Sequence, residues 1–229
     1  CPYVPPHEFN IDFPHLMLRA KAFKFKNQGV SLRDRTLSNP EKLGTFLGIP
    51  VISHTVNAVN KSKIGRLTTE ITLGVDRDAP RPKFYSRTAR KNISKYWKNN
   101  EKLTHNKDQL GVVLFVTCYG NNNNPEIIED TVACLEKSNI PIVFSSKEKC
   151  CGMPKLELGD IKSVEKSKNI NVSELYPWAV DGWKIISPIP SCVLMFKQEL
   201  PLLFPNDEKV KTVANAFMDP FDYLYQLEK

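Results

Sequence analysis

Four cysteines are spaced so that they could hold one metal centre although they lie far apart in the chain. Two of them are adjacent, within the sequence KEKCCGMP at residues 147–154. Thirty-one residues separate Cys118 from this pair, and 40 residues separate the pair from Cys192. Neighbouring thiols form a strained disulfide with each other. They can bind one metal centre from a single turn, where the glycine that follows gives the backbone freedom. The pattern predicts a metal centre held by Cys118, Cys150, Cys151 and Cys192.

An apolar, strand-like run precedes each of the three cysteine sites, at residues 112–117, 140–144 and 184–187. Helix-like segments lie between these runs and after the last one. This alternation predicts an α/β fold, a Rossmann-like βαβαβα unit with a short parallel sheet. Because functional sites in such sheets gather outside the carboxyl ends of the strands, we expect the four thiols to converge there.

Three kinds of chemistry are open to these thiols. Structural zinc usually takes two closely spaced cysteine pairs such as C-x2-C, and only one close pair is present here. A redox-active thiol pair or a disulfide is the second alternative. The spacing favours the third, an iron–sulfur cluster. Cys134 matches none of these ligand positions, and we expect it to be a small core residue of a helix.

The cysteine motifs also resemble those of a known family. Cys118-Tyr119-Gly120-Asn121, then KEKCCGMP, then Pro190-Ser191-Cys192 are similar to the cysteine-rich CCG domain. This domain occurs in heterodisulfide reductases, in the iron–sulfur subunits of glycolate oxidases and in those of anaerobic glycerol-3-phosphate dehydrogenases. The first 22 residues, CPYVPPHEFNIDFPHLMLRAKA, most resemble the last of these branches.

The resemblance implies a [4Fe–4S] cluster, of cubane or non-cubane type, in an electron-transfer subunit without its own substrate site. The best-known CCG domains end in C-x-x-C, whereas here Ile189 stands three residues before Cys192. This departure counts against disulfide-reducing catalysis and favours the dehydrogenase branch. The implied partners are a flavin-containing dehydrogenase subunit and a quinone or a quinone-reducing membrane component.

Cys1-Pro2 resembles the end of a ferredoxin motif, C-x2-C-x2-C-x3-C-P, whose last cysteine helps to bind the other cluster of a pair. Cys1 is therefore expected to ligate a second cluster only in a longer protein, because the other three thiols are not in this sequence. The start on Cys1 and the end on Lys229 together indicate a fragment.

The sequence divides into three parts. Residues 1–60 are predicted to be a helical segment, residues 61–109 a basic extended arm, and residues 110–229 the CCG domain. In the first part, residues at helical spacing are expected to form a core-facing stripe: Phe13, Leu16, Met17, Ala20 and Phe23. The sequence shows no second ligand or catalytic residue beside His7 or His15, so both are expected to be structural or exposed.

Charge is distributed unevenly along the chain. Residues 1–110 contain 20 Lys and Arg against 9 Asp and Glu, whereas residues 111–229 contain 12 against 16. The basic charges are scattered singly, without a basic helix or regularly spaced aromatics, so we expect a solvated or partner-docking surface and no nucleic acid. Lys147 and Lys149 lie just before the cysteine pair and could raise the potential of a cluster there.

The cellular location follows from composition. No apolar run approaches the roughly 20 residues that span a bilayer, and no signal peptide is visible. The six cysteines do not form the framework of a small secreted protein. We expect a reducing cytoplasm, with peripheral attachment to the inner face of the cytoplasmic membrane as the alternative.

Overall fold

A computed structural model describes residues 7–9, 11–94 and 111–228. The N-terminal part is helical. Its helices are α1 (Phe13–Gln28), α2 (Leu32–Leu37), α3 (Pro40–Leu47), α4 (Pro50–Lys61), α5 (Lys63–Leu73) and the short α6 (Ala89–Asn92). Four of the first five begin at a polar side chain that caps the helix: Asp12, Ser31, Asn39 and Ser62.

The C-terminal part alternates strands and helices, as predicted. Its strands are β1 (Val112–Leu114), β2 (Ile142–Phe144), β3 (Lys184–Ile186) and β4 (Phe217–Met218). Its helices are α7 (Cys118–Asn122), α8 (Pro125–Lys137), α9 (Met153–Leu158), α10 (Ile161–Val180), α11 (Pro190–Leu194), a π-helical stretch (Met195–Glu199), α12 (Leu200–Leu203), α13 (Glu208–Ala216) and α14 (Pro220–Leu227).

The four strands form one parallel sheet in the order β2-β1-β3-β4. Val113 lies beside Val143 of β2 and Ile185 of β3, so β1 is a central strand. The α/β class and the parallel sheet predicted from the sequence are therefore confirmed.

The sheet is buried on both faces. Successive side chains of a strand point to opposite faces, so Val113 and Phe115 enter one apolar cluster, and Val112 and Leu114 enter the other. All four side chains are fully buried. Helices cover both faces, which explains why β1 is a continuous apolar run rather than an alternating one.

The fourth strand differs from expectation. Residues 207–227 carry a helical pattern that suggests a single helix interrupted at Pro220. Instead α13 ends at Ala216, two residues pair with β3, and Pro220 begins α14. Phe217 and Met218 are almost fully buried, and an edge place in the sheet gives their backbone groups partners that helix propensity does not reveal.

The predicted core stripe of α1 is wrong. Phe13, Leu16, Met17 and Phe23 are all exposed, and no residue of α1 is buried. The helix contacts the rest of the structure along a narrow line, where Leu18 packs on the core and the backbone of Lys21 and Ala22 closely approaches Gly159. Helical spacing shows that residues share a face, but not that another element covers it.

The predicted arm at residues 61–109 is partly helical. Residues 63–73 form α5, which begins at the cap Ser62 and ends at Gly74 in the left-handed conformation. The stretch from there to residue 88 lacks helix and strand, as expected. It is tied to the C-terminal part by the amide of Tyr85, which donates to the carbonyl of Asn122 (3.1 Å). Residues 95–110 lie outside the described residues.

A histidine joins α1 to the C-terminal part, in addition to the exposed ion pair of Lys21 with Glu157. His15 Nδ1 lies 2.6 Å from a carboxylate oxygen of Asp12, and Nε2 lies 3.1 Å from Glu199, whose side chain is buried. The hydrogen bond with Asp12 is the main reason why the pKa of His15 is raised above 6.5, and the charge of Glu199 adds to it. His15 is thus structural, in agreement with the sequence-based expectation.

This contact predicts a pH-dependent attachment of α1. Because the pKa of His15 is higher in the folded state, its contribution to stability is fully present below the unfolded value near 6.5 and is lost as pH rises through the folded pKa. An NMR titration of the His15 ring should give a midpoint above 6.5, and Glu199→Gln should lower it. An unchanged His15 midpoint in Glu199→Gln would contradict the assignment.

Candidate metal centre

Three loops at the carboxyl edge of the sheet carry the predicted cysteines. Cys118 follows β1, Cys150 and Cys151 follow β2, and Cys192 follows β3. The chain leaves β1 for β2 on one side and returns to β3 on the other, so the strand order reverses beside β1. This point is where parallel α/β sheets form their ligand-binding crevice.

The four sulfurs lie together as two close pairs. The Sγ atoms of Cys118 and Cys150 are 3.6 Å apart, and those of Cys151 and Cys192 are 3.3 Å apart. Cys151 and Cys192 are buried, whereas Cys118 and Cys150 are half-buried. All four are free thiols, so the structure brings together every candidate ligand that it describes.

The thiols perturb one another strongly. The pKa of Cys150 is lowered, first because the Cys118 thiol donates a hydrogen bond to its sulfur and then because Cys151 does so. Donating that bond raises the pKa of Cys118, and burial raises it further. The pKa of Cys151 is raised by its hydrogen bonds to Cys150 and Cys192 and by burial. The hydrogen bonds among the four sulfurs thus stabilise one thiolate, at Cys150. A thiolate favours cation binding, since metal ligation requires deprotonated thiols.

A strained residue positions Cys118 at the start of α7. Thr117 has φ +65° and ψ 154°, a conformation that non-glycine residues rarely adopt, and its side chain accepts a hydrogen bond from the amide of Gly120 (2.9 Å). Gly120 packs so tightly that a Cβ there would lie 2.7 Å from Ile128. Asn122 completes the turn by donating to the carbonyl of Cys118 (3.0 Å). The unusual backbone conformation of Thr117 gives the chain a sharp turn between β1 and Cys118.

Helix α10 holds the loop that contains the adjacent cysteines. The fully buried side chain of Asn171 accepts from the amide of Lys149 (2.7 Å) and donates to the carbonyls of Lys149 and Cys150. One turn later, Glu174 accepts from the amides of Ser146 and Lys147. Gly152 ends the loop with φ +103°, a conformation that favours glycine. The loop's backbone groups therefore find partners in side chains rather than in a sheet.

A buried ion pair connects the same loop to β1 and α6. Glu148 accepts from the amide of Val116 (3.0 Å) and lies 2.6 Å from the guanidinium of Arg90. Burial raises the pKa of Glu148 to about 7, although Arg90 and the Val116 amide act in the opposite direction. Arg90 also donates to the carbonyl of Ser145 (2.8 Å), so α6 is fixed to the carboxyl ends of β1 and β2.

The N-terminal helices contribute one carboxylate to the site. Glu41, in the first turn of α3, accepts from the amide of Cys150 (3.1 Å) and lies 3.2 Å from Lys149 Nζ. Lys149 therefore has its charge offset, whereas the charge of Lys155 helps to lower the pKa of Cys150. Sequence reasoning missed Glu41, Asn171 and Lys155, because helical residues outside the cysteine motifs carry no local signal that they face the site.

The donor set fits an iron–sulfur cluster, for which four cysteine thiolates are the usual ligands. Within residues 7–9, 11–94 and 111–228, no group of three or more His, Cys, Asp or Glu side chains is arranged to hold a single metal ion. The fit thus rests on the kind and number of the sulfur ligands. Cys118, Cys150, Cys151 and Cys192 would hold the cluster, which when bound supplies one-electron redox chemistry.

The remaining candidates lie elsewhere. Cys1 falls outside the described residues, and its predicted role in a second cluster stays a prediction. His7 stacks edge-on against Phe9 and accepts from the Phe9 amide. Cys134 is exposed, contrary to expectation, because it lies beside the buried stripe of α8 formed by Ile128, Val132 and Leu135.

Comparison with known proteins agrees with this geometry. Residues 112–197 match the CCG family model, described as a cysteine-rich domain. One subunit of the anaerobic glycerol-3-phosphate dehydrogenase of Escherichia coli (strain K12) is 27% identical over 195 residues, which are 85% of this chain and 47% of that protein. Lactate utilization protein A of Bacillus subtilis (strain 168) is 28% identical over 119 residues, 50% of this chain and 48% of that protein.

A third relative, lactate utilization protein A of Exiguobacterium sp. (strain ATCC BAA-1283 / AT1b), is 32% identical over 105 residues, 46% of this chain and 42% of that protein. The chain thus spans about half the length of the curated relatives it matches. No solved structure matches it significantly.

The role of Asn171 is testable. Asn171→Ala leaves a buried amide and two carbonyls of the cysteine loop without their partner, and each such group costs about 1–3 kcal/mol. We expect the free energy of unfolding of the metal-free protein to fall by roughly 2 kcal/mol or more. Asn169→Ala, on the exposed side of the same helix, should change it by less than about 0.5 kcal/mol. Urea unfolding followed by circular dichroism measures both, and equal effects would contradict the role.

Proposed function

Since residues 112–197 match the cysteine-rich CCG domain, we propose that this chain is part of an iron–sulfur electron-transfer subunit. Cys118, Cys150, Cys151 and Cys192 hold the cluster. The observation that carries the proposal is the meeting of four thiols from three separate loops, as two sulfur pairs 3.6 and 3.3 Å apart. Core packing alone does not require thiols at all four positions.

The cluster is proposed to be a [4Fe–4S] cluster with four cysteine ligands. Four thiolates suffice for this type. Ile189 precedes α11 as its N-cap residue, in the place of the first cysteine of a C-x-x-C ending. A fifth thiol is absent from this position, which supports a four-ligand cluster over the five-thiol, non-cubane type.

The protein's own residues orient the thiols and tune the potential. Asn171, Glu174 and Glu41 hold the backbone of the cysteine loop, so its thiols keep their positions when charge changes. Burial of Cys151 and Cys192 excludes water from the inner half of the site. Burial and net charge are among the principal means by which a protein sets the potential of such a cluster.

A flavin-containing dehydrogenase subunit is the proposed electron donor. Support comes from the relative that is itself named as part of an anaerobic glycerol-3-phosphate dehydrogenase. The quinone pool, reached directly or through a membrane component, is the proposed acceptor.

The proposed location is the cytoplasm, and peripheral attachment to the inner face of the cytoplasmic membrane is the alternative. Peripheral attachment would bring the cluster close to a quinone-reducing partner. Among the described residues, no helix is long and apolar enough to cross a bilayer.

Iron binding tests the ligand assignment. Anaerobically purified protein should be brown, contain about four irons and show EPR signals that differ between oxidised and reduced samples. Cys150→Ser and Cys151→Ser should each lose most of the iron. Cys134→Ser, an exposed thiol outside the site, is the matched control and should keep it.

Other results would favour other functions. Colourless protein that contains zinc would indicate a zinc-stabilised binding module. Turnover of a disulfide substrate would indicate a reductase of the heterodisulfide type.

The charge near Cys150 predicts how the potential responds to substitution. Lys155→Met removes a positive charge that favours the thiolate, so the reduced cluster becomes less stable. A loss of about 1 kcal/mol lowers a one-electron midpoint potential by roughly 40 mV. Lys147→Met removes an exposed charge and should change the potential much less. A redox titration followed by EPR compares the two variants, and an equal or larger shift in Lys147→Met would contradict this account.

A further inference from the structure

An apolar pocket of about 620 Å³ lies between the N-terminal helices and the cysteine domain. Its volume falls within the range of sites that bind small organic molecules, roughly 300–1,000 Å³. Its apolar walls come from α2, α3, α4, α5 and the segment that follows them. Apolar side chains of these walls include Leu37, Leu43, Leu47, Val56, Leu73 and Phe84.

Two residues that line this pocket are chain neighbours of residues at the metal centre. Tyr119, which lines the pocket, is the residue after Cys118. Pro40 also lines the pocket, and the residue after it is Glu41, whose carboxylate accepts a hydrogen bond from the amide of Cys150. The pocket and the cysteine site are therefore connected through two pairs of consecutive residues, Cys118-Tyr119 and Pro40-Glu41.

One polar group in the wall lacks a partner. The Nε of Arg81 is buried and has no hydrogen-bond acceptor among the described residues, although the terminal nitrogens of Arg81 contact Asn60 Oδ1 (3.4 Å) and the carbonyl of Arg66 (3.3 Å). A buried donor without an acceptor costs free energy, because it has lost its water. An acceptor oxygen on a bound molecule would satisfy it.

We propose that this pocket binds a quinone, with a ring carbonyl oxygen accepting from Arg81 and the ring beside Tyr119. The inference rests on the proposed electron-transfer function and identifies where the acceptor binds. A neutral ring suits the apolar walls. An apolar tail suits the rim, where Leu37 and Leu73 are each 45% exposed.

The electron balance is simple. One quinone takes up two electrons and two protons to become a quinol. Both electrons would come from the proposed flavin-containing donor and pass one at a time through the cluster that Cys118, Cys150, Cys151 and Cys192 would hold, and water would supply the protons. The fixed positive charge of Arg81 stabilises the negative charge that builds on the oxygen before it is protonated.

Direct binding tests the pocket independently of turnover. The probe is 2-heptyl-4-hydroxyquinoline N-oxide, a redox-inactive quinone analogue, titrated by fluorescence against the full chain purified anaerobically. We expect saturable binding at one site. Val56→Trp, which fills the pocket from α4, should weaken binding at least tenfold. Val51→Trp, on the same helix but outside the pocket and 77% exposed, should bind as the wild type does.

A second variant keeps the test independent of whether Val56→Trp folds. Arg81→Lys retains the charge but removes the Nε donor, and should weaken binding several-fold with unchanged iron content. Oxidation of the reduced cluster by decylubiquinone should slow in both pocket variants and stay unchanged in Val51→Trp.

Three results would overturn the proposal: no binding of the probe, binding that neither pocket variant weakens, or displacement of the probe by laurate as effective as by decylubiquinone. The last would indicate a fatty-acid site. Failure of the cluster assignment is a separate outcome, because iron content is measured on its own. If iron-free protein binds the probe and Val56→Trp weakens that binding, the assignment of the pocket would stand and the electron-transfer function would be refuted.

Discussion

Parallel pairing of β1 with both β2 and β3 is the constraint on which the rest of the structure depends. It aligns the carboxyl ends of three strands at one edge, so cysteines whose positions differ by 32 in the chain meet within a few ångströms. Adjacent cysteines after β2 can then contact one sulfur from the loop after β1 and another from the loop after β3. Without this pairing, Cys118 and Cys192 would have no reason to be near either of them.

Strand pairing brings the cysteine loops together, but it does not fix the conformation of each loop. Hydrogen bonds from side chains do so. Asn171, Glu174 and Glu41 accept hydrogen bonds from the amides of the cysteine loop, and Glu148 accepts one from the amide of Val116. Buried backbone groups need such partners. Because the partners come from α10, α3 and the loop itself, the cysteine site is assembled from both parts of the chain.

The N-terminal helices therefore contribute to both proposed sites. Helix α3 touches the cysteine loop through Glu41 and, with α2, α4 and α5, encloses the apolar pocket beside Tyr119. This shared wall gives the two proposed sites, a cluster and an electron acceptor, a common physical basis.

The sequence by itself determined three of the four described strands, the parallel class of the sheet and the four cysteines of the candidate site, because apolar runs and rare residues at turns are local signals. It did not determine that α1 leaves its apolar stripe exposed, that Phe217 and Met218 pair as a strand, or that Cys134 faces water. Only the tertiary structure decided these, since each depends on which element lies opposite. The same holds for Asn171, Glu174 and Glu41, whose roles come from contacts across the fold that no spacing in the chain encodes.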